Sequence, residues 1–230
     1  MLDDVSFDVS PLEVVGILGP SGCGKSTLLE LVAGLEQPSN GELEVSGRLD
    51  PVDRLSQCAL MPQRDQLLPW RSAAANAALA LELNGVKRAE AMARVGPLFE
   101  SFGLAGFEET PPYELSGGMR QRVAFLRTLL AGKPVLLLDE PFGSLDSITR
   151  ADMQEWLAAA LLESPHTVVL VTHDTEEALF LCDRVLVLSA RPGCVRAEIA
   201  VDLPRPRPRR ETVTSYEFTA LKERALEALA

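Results

Sequence analysis

The chain has 230 residues, of which 47% are hydrophobic and 24% charged, an ordinary balance for a globular protein with one sizeable core. Its formal net charge of −11 argues against a nucleic-acid groove as the main surface. No run of apolar residues is long enough to predict a membrane span, and Asp3 and Asp4 stand where a signal peptide would be basic. The widely spaced cysteines favour reduced thiols over a disulfide or zinc framework.

Short apolar runs alternate with helical stretches along the chain, which predicts an α/β fold with a largely parallel sheet. The predicted strands are 14–18, 42–46, 57–61, 134–138, 167–171, 184–188 and 194–201. Between 72 and 132 the strand signal vanishes, and helices are predicted over 72–84, 87–102 and 117–131. We therefore expect an α/β core built from residues 1–71 and 133–203, an inserted helical subdomain over 72–132, and a C-terminal linker and helix over 204–230.

Residues 19–27 match the phosphate-binding pattern G-x-x-x-x-G-K-[ST], between a predicted strand and a predicted helix. Glycines let successive backbone N–H groups point at phosphate oxygens, and the helix N-terminus favours an anion. Lys25 is expected to reach the β- and γ-phosphates, and the Ser26 hydroxyl to ligate Mg²⁺. The alternative is a purely structural glycine-rich turn, against which the strand and helix argue. The residues expected to contact the nucleotide here are Gly19, Pro20, Ser21, Gly22, Cys23, Gly24, Lys25, Ser26 and Thr27.

The strand predicted over 134–138 is followed by two acids, Asp139 and Glu140. Because ligands bind at the carboxyl ends of parallel strands, Asp139 is expected beside the phosphate loop, where it would hold Mg²⁺ with Ser26. Glu140 would then lie near the γ-phosphate and polarise an attacking water. The alternative is a strand that ends at two solvated carboxylates.

Residues 115–122, Leu-Ser-Gly-Gly-Met-Arg-Gln-Arg, precede a predicted helix. Ser116 is a good N-cap, and Gly117 and Gly118 leave backbone N–H groups open at the positive end of the helix. One nucleotide cannot easily use both this anion site and the phosphate loop, so each site is expected to complete the other across a dimer. The alternative is an ordinary Ser-Gly-Gly loop.

With this octet, residues 115–122, the sequence resembles the ATP-binding cassette (ABC) ATPase family over nearly its whole length. The octet matches the signature segment of that family, and the helix that follows it is called the signature helix below. Gln63 matches the Q-loop of the family, Asp146 in Ser-Leu-Asp matches its D-loop, and His173 matches its switch histidine. The resemblance implies a P-loop NTPase fold with an inserted helical subdomain, and a head-to-tail homodimer that closes around two ATP molecules.

The roles implied by the resemblance divide between catalysis and binding. Glu140 would be the base, His173 would contact the γ-phosphate, and Gln63 and Asp139 would serve Mg²⁺. Ser116, Gly117 and Gly118 of one subunit would face the phosphate loop of the other, and Asp146 would also contact the nucleotide.

One feature departs from the family. Its aromatic adenine-stacking residue normally lies upstream of the segment that Leu2–Phe7 matches, and this sequence starts within that pattern. The adenine contact and the first strand are therefore expected to be missing. Phe7 is expected in a strand core rather than as a substitute.

Three strings, at 67–70, 141–150 and 183–193, resemble the ATPase subunits of nitrate, sulfonate, taurine and thiamine-precursor importers. This implies a peripheral ATPase on the cytoplasmic face of the inner membrane, with a separate integral membrane permease, an indirect solute-binding protein and no nucleic acid. An ABC ATPase acting on DNA or ribosomes is the alternative; a metabolic P-loop kinase would leave 115–122 unexplained.

Two surface segments leave alternatives open. Trp70 beside leucines would form an apolar groove for a partner helix, or else Leu67 and Trp70 close the subdomain core. The Pro/Arg run 204–210 is expected to be a solvated extended linker, with anionic headgroups as the other reading.

Overall fold

The computed structural model describes residues 2–230, and its centre is a sheet of six strands in the order β2-β3-β4-β1-β5-β6. The first five strands pair in parallel, and β6 is antiparallel to β5. The strands are β1 (Val14–Leu18), β2 (Cys58–Met61), β3 (Val135–Asp139), β4 (Thr167–Thr172), β5 (Arg184–Leu188) and β6 (Val195–Ala200). The predicted mainly parallel α/β class is confirmed.

Helices cover both faces of this sheet. They are α1 (Lys25–Ala33), α2 (Pro51–Gln57), α3 (Ala73–Ala77), α4 (Leu79–Leu83), α5 (Arg88–Ser101), α6 (Gly117–Leu129), α7 (Ser147–Glu163), α8 (Thr175–Leu181), α9 (Arg209–Val213) and α10 (Tyr216–Leu229). Alternate residues of the central strands feed two separate cores: Leu136 and Leu138 of β3 pack with the helical segments, while Leu137 packs with α1. Burial on both faces explains why these strands are continuous apolar runs.

The strand predicted over 42–46 is wrong. Only Val45 pairs there, in an isolated bridge with Arg48, through reciprocal hydrogen bonds of 3.0 and 2.9 Å. Ser46 and Gly47, both with positive φ, turn the chain back at once, so no longer ladder forms. Asp50 then caps α2, a short helix that was not predicted.

The predicted helices of the insert are confirmed with one correction. The segment 72–84 is two short helices, because Ala78 ends α3 and precedes α4. The buried Asn76 accepts from the backbone N–H of Leu68 at 2.7 Å and donates to its carbonyl at 3.1 Å, which fixes the preceding loop. The domain boundaries proposed from the sequence remain a prediction.

Phe7 has the expected core role but not the expected strand. It lies half-buried in an extended stretch outside the named strands and packs against the cluster that contains α1. Within residues 2–230, none of the helices combines the length and apolar character needed to cross a bilayer.

Three arginines of the Pro/Arg run, at 205, 207 and 209, are held by hydrogen bonds to the protein, so the expected solvated linker is wrong for them, whereas Arg210 is exposed. Arg207 is only 8% exposed and donates to the carbonyl oxygens of several residues around α8 and β6 at 2.8–3.2 Å. Arg205 bonds to Asp183, and Arg209 bonds to Gln154. Burial lowers the pKa of Arg207 to about 10. The composition of this run predicted exposure to solvent, because it contains no information about the carbonyl groups at the end of α8 that accept these hydrogen bonds.

Candidate functional site

The phosphate loop runs from the end of β1 into α1. Gly22 and Gly24 have φ values of 79° and 114°, which side chains rarely adopt. No side chain caps the N-terminus of α1, and its first turn has no acid. The first-turn N–H groups and the helix dipole therefore favour an anionic ligand at this point.

Lys25, the first residue of α1, is 5% exposed and lies along this loop. Its Nζ donates to the carbonyl oxygens of Gly19 at 2.9 Å and of Pro20 at 3.1 Å. The same Nζ lies 3.7 Å from a carboxylate oxygen of Glu140. The loop thus holds the ammonium where phosphate oxygens would replace the carbonyls.

Glu140 is the point at which the predicted catalytic residues meet. Its Oε2 accepts a hydrogen bond of 2.9 Å from Gln63 Nε2 and lies 3.2 Å from His173 Nδ1. Residues from four chain segments therefore converge on one carboxylate, since Lys25 lies on its other oxygen. The backbone of Glu140 has a φ of 44°, a strained conformation that is commonest at functional sites.

Asp139 precedes Glu140 and lies against the phosphate loop through a hydrogen bond with Ser26. Burial is the main reason that the pKa of this carboxyl is raised. Its Oδ1 is buried, and no hydrogen-bond partner for it occurs within the described chain. An orphaned carboxylate oxygen beside a hydroxyl fits the oxygen ligands that Mg²⁺ prefers. The amide nitrogen of Gln63 faces Glu140 here, so its predicted metal role remains a prediction.

The signature residues are not brought to the phosphate loop of the same chain. Ser116 is exposed and caps α6, accepting from Met119 N at 3.2 Å, as predicted. A Cβ on Gly117 would lie 3.0 Å from Leu145, so the signature packs against the D-loop segment 144–146. The contacts of the predicted second anion site are thus with α6 and the D-loop segment and not with the phosphate loop.

Asp146 is exposed and caps α7. Its carboxylate accepts from the N–H groups of Ile148 and Thr149, both at 3.1 Å. A bond from the Thr149 hydroxyl is the main cause that lowers the pKa of Asp146. The structure therefore gives Asp146 a local capping role, and its nucleotide role remains a prediction.

Two supports of the phosphate loop were missed in the sequence. Arg191 Nε donates to the carbonyl oxygen of Gly22 at 2.9 Å, and a Cβ on Gly193 would lie 2.4 Å from the Cys23 carbonyl oxygen. The turn between β5 and β6 therefore packs directly beneath the loop. The Arg-Pro-Gly string at 191–193 was the available signal. Cys23 itself is 1% exposed, as a spacer should be.

The segment after Gln63 is tied to the signature helix, which the sequence also did not reveal. Arg120 Nε donates to the Asp65 carboxylate at 3.1 Å, and Arg127 donates to the carbonyls of Asp65 at 2.6 Å and of Gln66 at 2.9 Å. Movement of α6 would therefore be transmitted to the segment that carries Gln63.

The apolar string after this segment divides between two roles. Leu67 is buried in the main core, whereas Trp70 is 77% exposed. Of the two alternatives, core closure holds for Leu67 and an exposed apolar surface holds for Trp70.

Comparisons with known proteins show the family to which this chain belongs. The family model described as ABC transporter matches residues 2–143. An aliphatic sulfonates import ATP-binding protein of Rhodococcus jostii is 46% identical over 100% of this chain and 87% of its own length. A taurine import ATP-binding protein of Rhizobium johnstonii is 47% identical over 89% of this chain and 78% of its own. A formylaminopyrimidine import ATP-binding protein of Halalkalibacterium halodurans is 42% identical over 89% and 80%.

Solved structures show the same fold. One is an ATP-binding cassette captured as a dimer in a post-hydrolysis state with ADP and inorganic phosphate. It is 30% identical, covers 88% of this chain and 91% of its own, and superposes with a TM-score of 0.75. The fold class predicted from the sequence is thus confirmed by an independent structure.

Proposed function

Since this chain belongs to the ABC transporter family, we propose that it is the ATP-hydrolysing subunit of an importer. It dimerises around two ATP molecules and drives uptake of a small solute through a separate permease. The observation that supports this most is the convergence of Gln63, His173 and Lys25 on the Glu140 carboxylate beside the phosphate loop.

Hydrolysis follows from the positions of these groups. The loop N–H groups and Lys25 bind the β- and γ-phosphates, and Lys25 exchanges its carbonyl partners for phosphate oxygens. Glu140 orients a water molecule and takes up its proton while the water oxygen attacks the γ-phosphorus. The bond between the γ-phosphorus and the β-phosphate oxygen breaks, and ADP leaves. His173 contacts the γ-phosphate oxygens, while Gln63 keeps its hydrogen bond to Oε2 of the Glu140 carboxylate.

Ser26 and Asp139 are the residues that would hold Mg²⁺, with Gln63 as a third candidate. When bound, the ion neutralises charge on the phosphate oxygens. A cation held by Asp139 would favour its carboxylate form and so lower the pKa that burial raises.

The second copy of the chain would supply Ser116, Gly117 and Gly118 to the phosphates, with Asp146 near the same interface. Support comes from the exposed Ser116 at the start of α6 and from the dimeric form of the solved cassette. A head-to-tail arrangement gives two equivalent composite sites. ATP binding would therefore close the dimer, and product release would let it reopen.

The membrane partner follows from the relatives, which are named as import ATP-binding proteins. The exposed Trp70 offers an apolar contact for a short helix of the permease, at the cytoplasmic face of the inner membrane. A solute-binding protein delivers the cargo without touching this chain, and no nucleic acid takes part. Sulfonates, taurine, nitrate and thiamine precursors are the solute classes to test.

Glu140→Gln tests the enzymatic part. It removes the base and keeps the size of the side chain, so hydrolysis should fall to near background while ATP traps a dimer visible by size-exclusion chromatography. Glu155→Gln, on the exposed face of α7, is the matched control and should hydrolyse ATP like the parent. Undiminished turnover in Glu140→Gln would remove Glu140 from the role of base.

Co-expression with the neighbouring permease genes tests the transport part. The chain should co-purify with the membrane fraction, and Trp70→Ala should weaken this association while leaving ATP hydrolysis by the isolated chain unchanged. A chain that stays out of the membrane fraction would contradict an importer and favour the alternative of an ABC ATPase acting on DNA or ribosomes.

A further inference from the structure

Two loops at the ends of neighbouring strands carry Glu140, the proposed base, and His173, the proposed contact of the γ-phosphate. The chain after β3 contains Glu140 and then the D-loop segment 144–146, and the chain after β4 contains His173 and Asp174. Glu140 N donates to the carbonyl oxygen of Val171, at the end of β4, at 2.9 Å. The relative position of these two loops therefore sets the distance between the base and His173.

Arg150, in the first turn of α7, contacts both loops with one guanidinium group. Its Nη2 donates to the Leu145 carbonyl oxygen at 2.9 Å, and its Nη1 donates to the Asp174 carboxylate at 3.4 Å. Its Nε is buried, and no partner for it occurs among residues 2–230. The two Nη contacts are thus the side-chain bonds that hold the group in place.

Asp174 fixes the residue beside His173 from two directions. Its Oδ1 accepts from the N–H groups of Glu176 at 2.9 Å and Glu177 at 3.1 Å, which caps α8, while its Oδ2 faces Arg150. Its own N–H donates to the Thr172 hydroxyl at 3.0 Å. Position 174 is therefore rigid relative to α8, and Arg150 joins that rigid unit to the D-loop.

We propose that Arg150 is a positioning residue for ATP hydrolysis, which couples the D-loop to the switch loop and so holds His173 against Glu140. This inference rests on the function proposed above. Arg150 acts through Leu145 and Asp174, since neither of its contacts is to a residue of the phosphate loop. Leu145 also packs against the signature glycine Gly117, so the coupling extends from the surface that a second subunit covers to the switch histidine.

The first test uses Arg150→Gln and Asp174→Asn with ATP hydrolysis by the full chain. Asn at 174 still accepts from the two N–H groups of α8, so it removes the charge but keeps the cap. We expect each variant to lower kcat about tenfold with KM for ATP changed by less than about twofold, because geometry is lost and ground-state binding is not. The double variant should be about as slow as either single one, because the two residues act as a unit.

Arg150→Lys is the conservative variant. An ammonium group reaches Asp174 as a point charge but cannot bond to Leu145 at the same time; because the coupling needs both contacts, Arg150→Lys should be about as slow as Arg150→Gln, and parental kcat in Arg150→Lys would show that the charge alone suffices and overturn the coupling through Leu145. Arg94→Gln, which breaks an exposed ion pair of Arg94 with Glu90 at 2.5 Å on α5, is the matched control and should change nothing. Additive losses in the double variant would overturn the coupling.

A spectroscopic readout separates positioning from general destabilisation. The chain has two histidines, His166 and His173, so their ring resonances can be assigned by NMR with one substitution. Arg150→Gln should shift the His173 resonances and leave those of His166 in place, with the unfolding midpoint nearly unchanged. Unshifted His173 resonances, or a kcat loss matched by a loss of folded protein, would overturn the inference.

The failure of this inference and the failure of the proposed function give different results. The parent and Glu140→Gln are measured in the same series. Turnover retained in Glu140→Gln contradicts the proposed site itself, whereas turnover lost there but normal in Arg150→Gln contradicts only the positioning role.

Discussion

The carboxyl group of Glu177 in α8 makes stability depend on pH in a direction that the structure fixes. The side chain is 2% exposed; its Oε2 accepts from Gln154 at 3.1 Å and its Oε1 has no partner within the described chain. Burial is the main cause that raises its pKa from 4.5 to about 7. Each tenfold change in proton affinity is worth about 1.4 kcal/mol, so ionising this group in the fold costs about 3 kcal/mol.

The sign of the effect follows from which state binds the proton. Below pH 4.5, the ordinary pKa of this group, the carboxyl is protonated in both states. Between that pH and about 7 the folded chain keeps a proton that the unfolded chain has lost, so the free energy of unfolding falls as the pH rises. Above about 7 both states are ionised and the full loss is present.

Glu177→Gln removes this dependence with little change in size. Relative to the parent, the variant should gain about 2 to 3 kcal/mol in free energy of unfolding between about pH 5 and pH 8. Urea unfolding followed by circular dichroism at several pH values measures the difference, in which shared titrations cancel. Glu155→Gln should run parallel to the parent. Parallel curves for Glu177→Gln as well would refute the buried-carboxyl reasoning.

Two further substitutions test the packing that positions the site. Gly34 ends α1 with a φ of 80°, and a Cβ there would lie 2.1 Å from the Pro51 carbonyl oxygen, so Gly34→Ala should lose more than about 3 kcal/mol of stability. Gly132→Ala, with a φ of 64° in open space, should lose about 1 kcal/mol, and equal losses would contradict the clash. Arg207→Met leaves several buried carbonyls unpaired and should lose about 3 kcal/mol or more in urea unfolding. Arg196→Met, at an exposed position of β6, should change the free energy of unfolding by no more than about 0.5 kcal/mol. Similar losses for both arginines would contradict a stabilising role of the Arg207 hydrogen bonds.

The residues whose positions in the fold could be predicted are those whose signal lies within a few positions of the chain. The phosphate loop is recognisable from the spacing of its glycines between a predicted strand and a predicted helix. Asp139 and Glu140 are recognisable because they directly follow an apolar run. Parallel strands end at a common edge, so local motifs at strand ends are brought together without further information. This is why Lys25, Asp139 and Glu140 were expected at one edge of the sheet, where the structure places them, whereas His173 was expected there only through the resemblance to the ABC ATPases.

The supports of the site were not predictable in the same way. Arg191 and Gly22 are 169 positions apart, and Arg120 and Asp65 are 55 apart, so no local pattern relates either pair. The Pro/Arg run misled for a related reason. Composition predicts hydration of guanidinium groups, but the carbonyls that accept from Arg207 exist as a group only after α8 and β6 have packed.

Under the proposed function, the contacts of Glu140 explain why this base would need bound ATP before it can act. In the chain alone, the Glu140 carboxylate is already hydrogen-bonded by Gln63 and faces His173 and Lys25. A carboxylate so occupied has fewer free lone pairs with which to accept a hydrogen bond from water. In the proposed function the triphosphate draws the Lys25 ammonium to its own oxygens, because a polyanion competes better for a cation than one carboxylate does, and His173 contacts the γ-phosphate. Glu140 is then left with Gln63 and a free lone pair, so the base becomes competent only when its substrate is in place.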